Sequence, residues 1–341
     1  MSKGGAAVSD AMLTVKDLKT YFYTAGGVSK AVDGVSFQIS RGEILGIVGE
    51  SGSGKSVASS SIIRLLPAKT GKIVSGSIDF DGKDVLQMEK KELLAFRGRD
   101  VSMIFQNPMT SLSPVFKVGH QMVEMICAHQ KVSKEEAYQM GEEALKKVGI
   151  PDARRRMDSY PYELSGGMCQ RVIIAMSICS NPKMIIADEP TTALDVTVQA
   201  QVLGLLKEMR DKNGTAILLI THNLGVVWQM CDSVMVMYAG KTVEYASCRE
   251  LYHNPLHPYT WGLLDSMPKL SSDSEEELKT IPGTPPDLRL TGTGCNFSNR
   301  CPYAEERCRN QVPELKEIVP GHFVACHRQG ENQGLVRGGA L

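Results

Sequence analysis

Glu43-Ile44-Leu45-Gly46-Ile47-Val48 runs straight into Gly49-Glu50-Ser51-Gly52-Ser53-Gly54-Lys55-Ser56. The first six residues form a short apolar run, the pattern of a parallel strand buried on both faces. Residues 57–66 read as a helix that stops at Pro67. The eight residues between fit GxxxxGK[ST] throughout, in the strand-then-helix context that the pattern requires. Its glycines let backbone N–H groups turn inward around phosphate oxygens, where side chains would clash. The helix N-terminus adds partial positive charge. Lys55 is placed to reach β- and γ-phosphates, and Ser56 to ligate Mg2+ through its hydroxyl. Residues Gly49, Glu50, Ser51, Gly52, Ser53, Gly54, Lys55 and Ser56 are therefore candidates to hold a nucleotide triphosphate.

Working outward, strands alternate with helices. Strands are expected at 12–15, 31–40, 101–105, 184–187 and 216–220, with helices near 93–96, 170–179 and 196–212. Residues 76–85 alternate and carry an Asp-Gly turn, as in a hairpin. Two short strands, 232–237 and 241–245, flank Ala239-Gly240. This order predicts an α/β fold with a parallel sheet covered on both faces. Residues 118–148 turn helical and polar. After Ser247 the chain becomes turn-rich, with no helix assigned. Residues 1–11, the acidic stretch 271–277 and the tail 329–341 read as disordered or solvated segments.

A second constellation lies at the end of Ile185-Ile186-Ala187-Asp188-Glu189-Pro190. Two carboxylates at the carboxyl end of a buried strand sit where open α/β sheets bind ligands. Asp188 would hold Mg2+, directly or through water. Glu189 would orient and deprotonate an attacking water. Between the two constellations stands Leu164-Ser165-Gly166-Gly167-Met168-Cys169-Gln170-Arg171.

In that position the LSGGxxQR stretch resembles the signature of ATP-binding-cassette (ABC) ATPases. The resemblance spans residues 12–265 and implies a P-loop ABC nucleotide-binding domain: a RecA-like core, an antiparallel β subdomain and a helical subdomain at about 107–180. It implies further roles. Gln106 matches the Q-loop glutamine, which contacts Mg2+ or the water and relays ATP state to a transmembrane partner. Asp195 in Ala193-Leu194-Asp195 matches the D-loop along a dimer interface. His222 after Leu218-Leu219-Ile220-Thr221 matches the switch histidine at the γ-phosphate. Ser165, Gly166, Gly167 and Gln170 would serve the ATP of the opposite subunit. Tyr21-Phe22-Tyr23 offers an aromatic platform for adenine, with Phe22 aligned to the A-loop and Tyr21 second. The signature usually carries Arg or a similar polar residue where Cys169 stands, and Cys169 is expected to tune the interface without abolishing hydrolysis.

Four more stretches narrow the match: residues 105–112 (FQNPMTSL), 191–201 (TTALDVTVQAQ), 254–260 (NPLHPYT) and 281–286 (IPGTPP). Together they resemble the ATPase subunits of bacterial dipeptide/oligopeptide importers, the DppD/OppD type, over residues 12–328. The resemblance implies a motor that pairs with a second ABC ATPase, commonly as unlike subunits. The pair would drive two membrane permeases fed by an extracytoplasmic binding protein. Nickel and glutathione importers share these features, so the solute stays open. Soluble ABC proteins of DNA repair or translation typically carry coiled coils, tandem cassettes or basic surfaces, which this chain lacks.

Nine cysteines are present, and Cys295, Cys301, Cys308 and Cys326 crowd into residues 266–328, read as a small C-terminal domain. In a cytosolic chain such a cluster reads as a metal or iron–sulfur site before disulfides. Four cysteine thiolates are a normal cluster ligand set, and no tight C-x2-4-C pair favours zinc. The spacing resembles the C-terminal cysteines of the DppD/OppD subunits, which implies a [4Fe–4S] cluster.

Lys+Arg and Asp+Glu both number 38 in 341 residues. The zero balance argues against a dedicated nucleic-acid binder, which needs a basic surplus. No apolar run is long enough to span a membrane, and the first residues lack the apolar core of a signal peptide. The expected place is the cytoplasmic face of the membrane, as a peripheral protein.

Overall fold

A computed structural model of the chain describes residues 11–192, 194–267, 280–329 and 334–337. The N-terminal stretch up to residue 10, the acidic stretch 271–277 and most of the tail lie outside them. In chain order the elements are β1 (Ala11–Thr24), β2 (Gly27–Ser40), β3 (Ile44–Val48), α1 (Lys55–Ile62), β4 (Gly71–Phe80), β5 (Lys83–Asp84), α2 (Lys90–Ala95) and β6 (Val101–Ile104). Helices α3 (Pro108–Ser111), α4 (Val118–His129), α5 (Lys134–Lys147), α6 (Ala153–Met157) and α7 (Gly166–Cys179) follow. Next come β7 (Met184–Asp188), α8 (Val196–Asn213), β8 (Ala216–Ile220), α9 (Leu224–Met230), β9 (Ser233–Tyr238) and β10 (Lys241–Ser247). The chain closes with α10 (Cys248–His253), α11 (Pro258–Asp265), α12 (Glu306–Asn310), β11 (Lys316–Val319) and β12 (His322–Val324).

Two sheets form. The smaller is antiparallel, in the order β2-β1-β4-β5. The larger runs β11-β12-β10-β9-β3-β8-β7-β6. Strands β9, β3, β8, β7 and β6 are parallel, and the other three add antiparallel at one edge. The apolar runs of the parallel strands are continuous because each strand feeds two cores. Ile44, Val48, Ile185, Ala187, Ile217 and Leu219 face the core shared with helices α4 to α9. Leu45, Ile47, Met184, Ile186, Leu218 and Ile220 face the core shared with α1 and the antiparallel sheet.

The cysteine-bearing segment does not stand off as a lobe. Its β12 pairs with β10, and its Phe297 is buried in the main core. One buried carboxylate fastens it. Glu244 on β10 accepts hydrogen bonds from the backbone N–H groups of Leu256 (2.6 Å) and His257 (2.9 Å) and from the Thr260 hydroxyl (2.5 Å). His322 Nε2 on β12 lies 2.8 Å from the same carboxylate. A carboxylate fully out of water is tolerated only when its lone pairs are met this completely.

Candidate active site

Four adjacent parallel strands, β3, β8, β7 and β6, end on the same side of the sheet. Each delivers its site residues there, as open α/β sheets do. The phosphate loop follows β3, and its path admits only glycine at two points. A Cβ on Gly49 would fall 2.2 Å from the Met237 carbonyl, and one on Gly54 2.2 Å from the Ala31 carbonyl. Both glycines also have positive φ, 149° and 103°. Lys55 is buried and folds back over the loop, donating to the carbonyls of Gly49 (2.8 Å) and Glu50 (2.9 Å). Burial lowers the pKa of its ammonium, against the pull of Glu189, Asp188 and Glu50.

Asp188 ends β7, buried beside Ser56. Its Oδ1 has no hydrogen-bond partner among the described residues. Burial raises the carboxyl's pKa, and the Ser56 hydroxyl only partly offsets this. A buried carboxylate oxygen without a donor, next to a hydroxyl, fits a cation.

Glu189 follows with a positive φ of 48°, a costly conformation for a side chain with a Cβ. Its backbone N–H donates to Ile220 at the end of β8 (2.8 Å). Because β7 lies between β8 and β6, the Glu189 carboxylate meets residues from both sides. Gln106 Nε2, past the end of β6, donates to Oε2 at 2.9 Å. His222 Nδ1, past the end of β8, lies 3.2 Å from Oε1. Thr192 Oγ1 adds a third contact at 3.1 Å. Burial would raise the Glu189 pKa, but the bonds from His222, Thr192 and Gln106 outweigh it and the net shift is downward. The carboxylate is held ionised, as a proton acceptor must be. The structure thus joins Gln106, Glu189 and His222, three residues singled out from sequence. Thr192 was missed, although it lies three residues after Glu189.

The LSGG stretch lies elsewhere. Ser165 caps α7, its hydroxyl accepting from the Met168 N–H, and Ser165 and Gly166 are exposed. Nothing would meet a Cβ on Gly166. One expectation needs correction. Gln170 does not face outward with them. It lies one turn into α7, buried, and donates to the carbonyls of Phe105 (3.5 Å) and Pro190 (3.1 Å) of its own chain. Cys169 is also buried, its thiol directed at the Pro161 carbonyl in the turn before α7. Asp195 caps α8 through the Val198 N–H, next to Val196, which is 83% exposed. Of the aromatic triplet, Tyr21 is bonded to Asp33 and Tyr23 lies under Lys72. Phe22 packs against the Leu66–Gly71 turn after α1.

Cys295, Cys301, Cys308 and Cys326 line one small cavity with His257 and Phe297. Backbone N–H groups of Phe297 and Ser298 bear on the Cys295 sulfur, that of Tyr303 on Cys301 and that of Arg328 on Cys326. Burial pushes these three thiols up to about 11. Among the described residues no group of three or more His, Cys, Asp or Glu side chains is arranged to hold a metal ion.

Known proteins share this plan. The ABC transporter family model matches residues 32–192, and the model for the oligopeptide/dipeptide transporter C-terminal region matches residues 243–308. The fold is that of the ATP-binding cassette MJ0796, solved as a dimer bound to ADP and Pi. That match has a TM-score of 0.64 at 26% identity, over 70% of this chain and 99% of that one. Fold and site together define an ABC ATPase. The oligopeptide transport ATP-binding protein OppD of Bacillus subtilis is 50% identical over 92% of this chain and 87% of its own length. OppD of Escherichia coli is 49% identical over 95% of each. The chain belongs to the ABC transporter ATPases, in the group of OppD-type ATP-binding proteins.

Proposed function

We propose that this chain hydrolyses ATP to power import of peptides through a membrane permease. The observation that carries the hydrolytic reading is the convergence of Gln106, Thr192 and His222 on Glu189 at the ends of adjacent strands. The loop amides from Gly49 to Ser56 and Lys55 bind the phosphates. Ser56 and Asp188, with Gln106, would hold Mg2+, which supplies charge neutralisation at the phosphates when bound. Glu189 takes the proton of the attacking water. To do so it must release Gln106 and His222 and accept a hydrogen bond from the water, while the freed His222 turns to the γ-phosphate, so those two side chains report the state of the nucleotide. Phe22 stacks on adenine, supported by the other ties of Tyr21 and Tyr23.

The exposed Ser165 and Gly166, with half-buried Gly167, at the start of α7 serve the ATP of a second ABC subunit, and Asp195 with exposed Val196 lines that contact. No helix among the described residues is long and apolar enough to cross a membrane. In keeping with the OppD-type relatives, two permease subunits supply the path, the chain sits peripherally on the cytoplasmic face, and a binding protein outside delivers the solute. The partner ATPase is an unlike subunit. We read residues 12–265 as the cassette and 266–328 as its appended segment, both sharing the larger sheet.

Cys295, Cys301, Cys308 and Cys326 would hold a [4Fe–4S] cluster. The support is four thiols on one cavity wall with N–H groups ready to stabilise thiolates. Such a cluster would staple a segment poor in large apolar side chains. Anaerobic purification should then give about four irons and four sulfides per chain. Zinc instead would remove the cluster and leave the ATPase reading intact.

The transport reading is tested in vesicles holding the chain with its partner ATPase and two permease subunits, supplied with the binding protein. ATP-dependent uptake of labelled oligopeptides is expected. Uptake of nickel or glutathione but of no α-linked oligopeptide would overturn the substrate class.

A further inference from the structure

The phosphate loop contains a carboxylate, Glu50, among the groups that must hold a polyanion. Left alone, it would repel the phosphates. Its compensation comes from 250 positions away. Arg300, the residue before Cys301, places both terminal nitrogens on Glu50, Nη1 to Oε2 at 2.7 Å and Nη2 to Oε1 at 3.0 Å. The fork is buried and held in place by three further contacts. Nε donates to the Pro282 carbonyl (2.8 Å), Nη2 to the Ile281 carbonyl (3.2 Å) and Nη1 to the Tyr238 hydroxyl (3.2 Å). A planar, fixed guanidinium is the side chain that suits such a two-point contact.

The backbone of Glu50 is held separately. Its N–H donates to the Tyr259 hydroxyl at 2.7 Å, and its carbonyl accepts from Lys55 Nζ (2.9 Å) and the Ser53 N–H (3.2 Å). Tyr238 packs edge to face on both Tyr259 and Phe297, which are tilted against each other, between the loop and the cysteine cavity. The loop's shape therefore survives loss of the ion pair, whereas its charge balance does not.

We propose that Arg300 is a charge-compensating residue of the nucleotide site, supplied by the cysteine-bearing segment, which neutralises Glu50 so that the loop can accept phosphates. The proposal rests on the nucleotide reading above. It makes the C-terminal segment part of the ATP site.

The test is MgADP binding to the full-length chain by calorimetry, with ATP turnover measured alongside. Arg300→Met should weaken MgADP by about tenfold or more and raise KM for ATP, with kcat within about threefold of wild type. Adding Glu50→Gln to that variant should restore affinity to within about threefold, because the uncompensated carboxylate is gone. Arg300→Lys keeps the charge and should lose less than Arg300→Met. If Arg300→Met does not fold, Glu50→Gln alone decides: it should bind MgADP no more weakly than wild type. A folded Arg300→Met with wild-type affinity, a failure of Glu50→Gln to restore it, or a tenfold loss in Glu50→Gln alone would each overturn the proposal. Wild-type chain that binds no MgADP would instead sink the nucleotide reading itself.

Discussion

Glu189 and Glu244 are the same residue in nearly the same arrangement, a carboxylate ringed by hydrogen-bond donors that include a histidine. Glu189 is 14% exposed and its three contacts are all side chains, from loops after two other strands and from its own turn. Glu244 is 0% exposed, and two of its four contacts are backbone amides. The difference separates a carboxylate that can change partners from one that cannot. Side chains such as His222, itself 65% exposed, can turn away at small cost. Backbone amides leave only if the Pro255–Pro258 turn unfolds. Function is read from what the donors are attached to, more than from how many there are.

The contrast between the two carboxylates is broken first on stability. Glu244→Ala strips the carboxylate from buried donors and should cost about 3–5 kcal/mol, read from urea unfolding. A loss below about 1 kcal/mol would show that the network is no keystone. The two histidines sharpen the contrast. His322→Ala should cost about 2–3 kcal/mol, whereas His222→Ala should stay within about 0.5 kcal/mol. Turnover should behave in the opposite way, lost in His222→Ala and kept by folded His322→Ala.

A pH experiment probes the buried network next. Burial holds the His257 imidazole neutral, its pKa lowered from 6.5 to about 4. Between those values the unfolded chain takes up a proton that the folded chain refuses, so stability falls as pH drops through that window. From pH 6.5 to 5 this contributes a loss on the order of 1–2 kcal/mol. His257→Asn retains an acceptor for the Tyr259 N–H that His257 Nδ1 now serves, and should show a shallower slope. An unchanged slope would remove His257 from the account. The smallest effect is at Thr192. Thr192→Val removes one of three exchangeable contacts and should lower turnover about two- to threefold with no change in stability.

The two clusters also differ in how far the sequence discloses them. Gln106, Asp188, Glu189 and His222 each follow an apolar strand, so the alternation of strands and helices already places them at one end of a parallel sheet. The strand order β3-β8-β7-β6, which sets Glu189 between Gln106 and His222, is fixed by packing and cannot be read along the chain. Glu244 looks like the solvent-facing member of an alternating strand. Only the docking of β12 and the Pro-rich turn buries it. Arg300 lies in the polar stretch Ser298-Asn299-Arg300, and nothing local announces a partner in the phosphate loop. Helices α9, α10 and α11 went unassigned because each is only six to eight residues long. The motif set Gln170 beside Ser165 and Gly166 at a partner's ATP, whereas the fold buries its side chain against the Phe105 and Pro190 carbonyls, contacts that no local pattern announces.

The most direct test is Glu189→Gln in the full-length chain, with ATP turnover and MgADP affinity measured on one preparation. Turnover should fall by about 10²-fold or more, the range that a general base contributes, while affinity stays within about threefold of wild type. Turnover equal to wild type at equal affinity would contradict the assignment of Glu189 as the residue that activates water.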